Sequence, residues 1–184
     1  LKKKAAGGHV NRNAQFGRIA ELRALYTAAG NPVVSVDSKK KEQIGNLFRD
    51  GKTYTTETVE VFDHDFPSLA EGVAVPHTLY DIERNEAYLN IGTSRDTSEF
   101  SCDSIRHWWY AYGILYYPLA TSILMLMDGG GSNSSRHSIF KQDLQALVEE
   151  IRIEIRTAHY PPYTSKWNPI EHRVFPILLA NYPA

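Results

Sequence analysis

Ser122-Ile123-Leu124-Met125-Leu126-Met127-Asp128-Gly129-Gly130-Gly131 is the stretch on which the fold turns. The residues before the acid are nearly all apolar and do not alternate with polar ones. That is the pattern of a strand covered on both faces, as at the centre of a parallel sheet. Asp128 and the three glycines stop the run and predict a tight turn. A second run of the same kind lies upstream: Val33-Val34-Ser35-Val36 is short, mostly β-branched, and closed by Asp37.

Working outward, residues from about Asn13 to Ala29 carry Phe16, Ile19, Leu22, Leu25 and Tyr26 at helical spacing, and Gly30-Asn31-Pro32 stops that helix. Ser38 to Thr58 is polar and has no decided form. Val73 to Ile82 and Glu86 to Ile91 predict an antiparallel hairpin turning at Glu83-Arg84-Asn85, with Pro76 the discordant residue. Asp96 and Glu99 then read as a capping box for a helix with Phe100, Ile105, Trp108, Trp109 and Tyr112 on its apolar face, ending at Gly113. Phe140, Leu144, Leu147, Val148 and Ile151 predict a helix beginning near Ser135. Ile151, Ile153 and Ile155 alternate with Arg152, Glu154 and Arg156, which predicts a strand with one wet face near a sheet edge. Pro161-Pro162 forbids helix, and Asn168-Pro169 opens one with Asn168 at the N-cap, Pro169 first and Glu171 third.

The order is helix, strand, hairpin, helix, strand, helix, strand, helix. It predicts one α/β domain over residues 1–184, built on a five-stranded mixed sheet with helices on both faces. In such a sheet the carboxyl ends of adjacent parallel strands share one edge, where ligands bind, and Asp37 and Asp128 would both stand there. Glu171 reaches the same edge if the last helix packs back across it.

Composition limits what this edge can do. The 184 residues are 42% hydrophobic, as in a soluble globular protein. The apolar run Ile123 to Met127 is far below the roughly 20 residues needed to span a bilayer, and no apolar signal core follows Leu1-Lys2-Lys3-Lys4, so the expected address is the cytoplasm, with no membrane partner. Cys102 is the one cysteine, which excludes an internal disulfide and a four-cysteine zinc site and reads as a buried small side chain. A net charge of −1 argues against a protein that coats nucleic acid by overall charge, while leaving room for local basic patches. The absence of an initial methionine suggests a segment of a longer protein.

Three carboxylates suit one chemistry in particular. Magnesium takes oxygen ligands and is usually held by a few carboxylates with waters and phosphate oxygens. A pair of such ions about 3.5–4 Å apart can activate an attacking oxygen and stabilise the leaving one. Each acid also has a plainer reading: Glu171 as the reciprocal half of a capping arrangement with Asn168, and Asp37 and Asp128 as turn formers at strand ends. Strand, glycine loop and helix would also describe a nucleotide phosphate site, but Gly129-Gly130-Gly131-Ser132-Asn133 fits neither the dinucleotide fingerprint nor a P-loop.

Four longer stretches carry a resemblance. Val36-Asp37-Ser38-Lys39-Lys40-Lys41-Glu42, His64-Asp65-Phe66-Pro67-Ser68-Leu69, Asp128-Gly129-Gly130-Gly131-Ser132-Asn133 and Ser165-Lys166-Trp167-Asn168-Pro169-Ile170-Glu171-His172 closely resemble bacterial insertion-sequence transposases of the Rhodopirellula-type DDE family. That family is related to mariner-like elements and shares the RNase H-like core of retroviral integrases. The resemblance runs from Arg12 to Phe175. It implies an RNase H-like fold whose first three strands are antiparallel and whose first, fourth and fifth lie side by side. It further implies a catalytic and metal-binding triad of Asp37, Asp128 and Glu171 holding two Mg2+ or Mn2+ ions for DNA strand cleavage and strand transfer. The partners implied are transposon ends and target DNA, handled by a homodimer on paired ends. Tyr163 stands where the family pattern leads one to expect glycine. The N-terminal helix-turn-helix region by which such enzymes recognise element ends has no counterpart before Leu1. Two alternatives stay open: a decayed or repurposed fragment that binds DNA or a partner without catalysis, and an RNase H-like nuclease that only hydrolyses.

Further residues are expected around the triad. Lys39, Lys40 and Lys41 follow Asp37, and Lys166 and Arg173 flank Glu171; each is a candidate DNA-phosphate contact, with a solvated loop as the alternative. His159, Asn168 and His172 are read as groups that would orient ligands or a phosphate rather than bind the ions. Trp108, Trp109, Tyr110, Tyr112, Tyr116 and Tyr117 could stack on a splayed base, but their helical spacing points to core packing. Asp63, His64 and Asp65 look like a metal cluster, yet neighbours in a strand point to opposite faces.

Overall fold

The computed structural model describes residues 11–39, 41–48, 55–64, 66, 68–94, 96–128, 138–161, 164 and 167–177. Helix α1 (Arg12–Ala28) leads into β1 (Val33–Ser38), followed by β2 (Glu42–Ile44), β3 (Gly72–Asp81) and β4 (Glu86–Gly92). Helix α2 (Ser98–Trp108) runs through a π-helical turn (Trp109–Gly113) into the short α3 (Ile114–Tyr116). Then come β5 (Ser122–Met127), α4 (Ser138–Ile151), β6 (Glu154–His159) and α5 (Pro169–Arg173).

One mixed sheet organises these elements, in the order β2-β3-β1-β5-β6, with β4 also paired to β3 off this path. β3 pairs antiparallel with β1, β2 and β4, while β1–β5 and β5–β6 are parallel. The five expected strands lie in the expected arrangement, and β2 is an addition. It lies in the polar region after Ser38 and is held by its register with Gly72, Val73 and Ala74, which the local sequence does not announce.

Every residue of β5 is buried, because both faces of the sheet are covered. Ile123, Met125 and Met127 join Val34, Val36, Ile105, Trp108 and Leu147 under α2 and α4. Leu124 and Leu126 join Val33 with Ile19, Leu22 and Tyr26 of α1. Burying side chains of this size contributes roughly 1.5–3 kcal/mol each. Tyr80, Ile170, Val174 and Phe175 form a smaller cluster that seats α5 against β3. Cys102 is buried as expected.

Several boundaries differ from the sequence expectation. The N-cap of α2 is Thr97, whose hydroxyl accepts from the Phe100 N–H, and not Asp96. Gly113 does not end its helix. A Cβ there would come within 2.3 Å of the Trp109 ring, so this glycine makes room for the indole inside the π-helical turn. Ile151 belongs to α4, and Arg152 turns the chain with φ 58°, a position glycine more often fills. The isoleucine alternation therefore spans a helix end and a strand start. Leu25 is exposed, outside the apolar stripe of α1. Trp108 and Trp109 are core residues, whereas Tyr110, Tyr112 and Tyr116 are exposed. The start of α4 before Ser138 and the Gly129-Gly130-Gly131 turn lie outside the described residues.

Pro76 is compatible with β3 because of where its backbone faces. Its carbonyl accepts from the Lys39 N–H at 2.9 Å, just where the chain leaves β1 and before β2 begins pairing at Ala74. N–H and C=O of one residue in an antiparallel strand point to the same side, so the missing donor falls in that gap.

Candidate active site

Parallel pairing brings the two aspartates together. Val36 and Met127 are register partners on β1 and β5, and Asp37 and Asp128 are the next residues on each chain. On the other side of β5, Met127 is the partner of His159 at the end of β6, and the Tyr160 N–H prolongs the ladder to the Met127 carbonyl at 2.9 Å. The carboxyl ends of three adjacent strands thus carry Asp37, Asp128 and His159.

Helix α5 reaches this edge through its cap. Asn168 is fully buried; its Oδ1 accepts from the Ile170 N–H at 3.1 Å and from the Ser35 hydroxyl at 3.0 Å. Its Nδ2 donates to Asp37 Oδ2 at 2.9 Å, and the Ser38 N–H donates to Asp37 Oδ1 at 2.9 Å. Asn168 and Pro169 therefore occupy the N-cap and first helical positions, with Glu171 in the first turn.

The charges of the three acids meet at Asp37. Burial first, then the charges of Asp128 and Glu171, push its carboxyl up to about 7 against the Ser38 N–H, with a smaller push from Asp96. Burial also raises Asp128, and His159 offsets part of that rise. Among the described residues, no three acidic, histidine or cysteine side chains are gathered closely enough to hold one metal ion between them. Asp37 feels the charges of the other two acids across an edge that is not closed around a single point.

The basic candidates are distributed unevenly. The Lys39 ammonium is paired with Glu42, and Lys41 is exposed. Lys40 and Lys166 lie outside the described residues. Arg173 turns away to the hairpin, donating to the Tyr80 hydroxyl and to Asn85 Oδ1 at 3.2 Å, with its guanidinium 5.7 Å from the Tyr80 ring centre. His172 is exposed and, with Phe16, Arg23, Tyr160, Trp167 and Arg173, borders a cleft of about 420 Å³ between α1 and α5. Asp63 and His64 are exposed and lie in a bend rather than a strand, and Asp65 is outside the described residues.

Two nearby contributors are absent from the sequence expectation. Asp96, read there as a helix cap, instead accepts from the Ser38 hydroxyl at 3.3 Å beside Asp37. Ser35 is fully buried in an otherwise apolar strand, and that misfit was the available signal.

The strand order and the acid-bearing edge define an RNase H-like domain of the kind found in transposases and integrases. Residues 1–183 match the family described as Rhodopirellula transposase DDE domain, and the chain belongs to that family. Among solved structures, a pre-cleavage Mos1 transpososome aligns with 98% of this chain and 55% of its own at a TM-score of 0.56 and 13% identity. The Mos1 strand transfer complex aligns with 97% of this chain and 53% of its own, with a TM-score of 0.52 and 14% identity. The simian T-cell lymphotropic virus intasome, in complex with PP2A regulatory subunit B56 gamma, aligns with 80% of this chain and 38% of its own, with a TM-score of 0.50 and 16% identity. These similarities establish the fold, and the chain spans at most about half the length of the chains it matches. Comparison with curated proteins finds no match. Among the described residues, no helix is long and apolar enough to cross a membrane.

Proposed function

We propose that this chain is the catalytic domain of a transposase that cuts and joins DNA strands, with Asp37, Asp128 and Glu171 as the ligands of two divalent metal ions. The observation that carries this reading is the meeting of three carboxylate charges at Asp37, on the carboxyl edge of adjacent parallel strands. The donor set fits the group. All three ligands are hard oxygen donors, and a carboxyl pushed up to about 7 by burial and two like charges is a site whose excess negative charge a divalent cation offsets. When bound, two magnesium or manganese ions would supply activation of the attacking oxygen and stabilisation of the leaving one.

The residues around the triad have matching tasks. Asp37 and Asp128 offer oxygens from the sheet edge, and Glu171 offers them from the first turn of α5. His159 favours ionised Asp128. Lys41, and with it Lys40 and Lys166, would contact DNA phosphates; Lys39 and Arg173 would have to exchange Glu42 and the hairpin turn for phosphate to do the same. The DNA partners proposed are transposon ends and target DNA, bound by a homodimer in the cytoplasm.

Incubation of the protein with labelled element-end DNA and Mg2+ or Mn2+ tests the reading. Metal-dependent nicks at the element end together with joined products support it. Nicks without joining would instead assign a hydrolytic nuclease, and DNA binding with neither product would assign a binding module.

A further inference from the structure

A hydroxyl buried at the centre of a parallel sheet needs a reason, because valine would pack there with no polar atom to satisfy. Ser35 faces the α1 side of β1, alternating with Val34 and Val36, and its register partner is Leu126. It is fully buried, and its Oγ donates to Asn168 Oδ1 at 3.0 Å, with the Leu126 carbonyl a poorer acceptor at 3.5 Å.

These contacts decide which way the Asn168 amide points. Its oxygen is claimed by two donors, the Ser35 hydroxyl and the Ile170 N–H, so the amide nitrogen must face Asp37, where it donates at 2.9 Å. With the Ser35 hydroxyl removed, only the backbone cap would hold the oxygen side, and the amide could turn on its terminal torsion, whose minimum is broad.

We propose that Ser35, acting through Asn168, is a positioning residue that fixes the Asp37 carboxylate and locks its placement to that of α5, the helix bearing Glu171. One buried chain, Ser35–Asn168–Asp37, then ties β1 and α5 to a single ligand geometry. This rests on the triad being a metal site, and the groups that orient metal ligands typically change affinity by about 10–100-fold when lost.

Threonine and valine differ at this position by a hydroxyl against a methyl, with the same branched shape. Mn2+ titrated calorimetrically into the protein, its Ser35→Thr and Ser35→Val variants, and Asp37→Asn supplies the test, with thermal unfolding in metal-free buffer alongside. Ser35→Thr is expected to bind Mn2+ like the parent and Ser35→Val about tenfold or more weakly, although Ser35→Val unfolds at no lower temperature than Ser35→Thr. Equal Mn2+ affinity in the two would overturn the positioning role. Ser35→Ala, which adds no bulk, is expected to match Ser35→Val and decides the matter if the branched variants do not fold. Unchanged affinity in Asp37→Asn, or no Mn2+ binding by the parent, would overturn the metal site itself.

Discussion

Asp37 and Asp128 stand one residue beyond Val36 and Met127, which are register partners on adjacent parallel strands. Their proximity is therefore a consequence of sheet register, and a strand cannot slip by one residue without turning its buried face to the other side. The charge crowding at Asp37 follows from that geometry, and it has a measurable signature.

Between about pH 4 and 7 the folded Asp37 keeps a proton that the unfolded chain has released, since burial and its acidic neighbours raise the group from 3.8 to about 7. Its contribution to metal-free stability is present at low pH and is lost as pH rises through this window, by an amount on the order of a few kcal/mol. In denaturant unfolding at several pH values, the stability of the parent relative to Asp37→Asn should fall as pH rises through this window, the contributions of other groups cancelling in the difference. Added Mn2+ should restore the parent's stability near pH 7.

His77 acts with the opposite sign. It is fully buried on β3, its Nε2 lies 2.9 Å from the Ser101 hydroxyl, its Nδ1 has no partner, and burial lowers it to about 4. Below about 6.5 the unfolded chain takes up a proton that the folded imidazole refuses, so stability is lost as pH falls toward 4. In the same unfolding series His77→Gln should gain stability relative to the parent as pH falls through this range. A parent–variant difference that does not change with pH would assign the acid loss to other groups.

Two glycines make opposite predictions. Gly17 lies inside α1, and an alanine Cβ there would meet nothing within 4 Å, so Gly17→Ala should stabilise by about 0.5–1 kcal/mol through helix propensity alone. Gly113→Ala meets the Trp109 ring and should destabilise by roughly 1–3 kcal/mol, despite the same propensity gain. Thermal melts of the two variants, shifted in opposite directions from the parent, would establish that the π-helical turn is set by the indole.

Much of this architecture was legible in the chain because its signals are local. The apolar run of β5, the stop at Gly30, the hairpin turn and the Asn168-Pro169 cap each follow from a few neighbouring residues. What escaped depends on distant partners. β2 exists because Glu42 to Ile44 find Gly72 to Ala74, and Asp96 turned from a cap into a neighbour of Ser38 because Thr97 was the better-placed oxygen. The acids of the triad were legible as strand-end and helix-start residues. The link between them was not, because Ser35 and Asn168 are 133 positions apart.

The central claim, that Asp37, Asp128 and Glu171 form a metal centre for strand cleavage and transfer, is tested most directly at Asp128, which stands at the strand end outside the buried core clusters. Cleavage and joining of element-end DNA in Mg2+ or Mn2+ should fall at least about 100-fold in Asp128→Asn, with DNA binding and the unfolding temperature retained. Unchanged cleavage and joining in that variant would contradict the account.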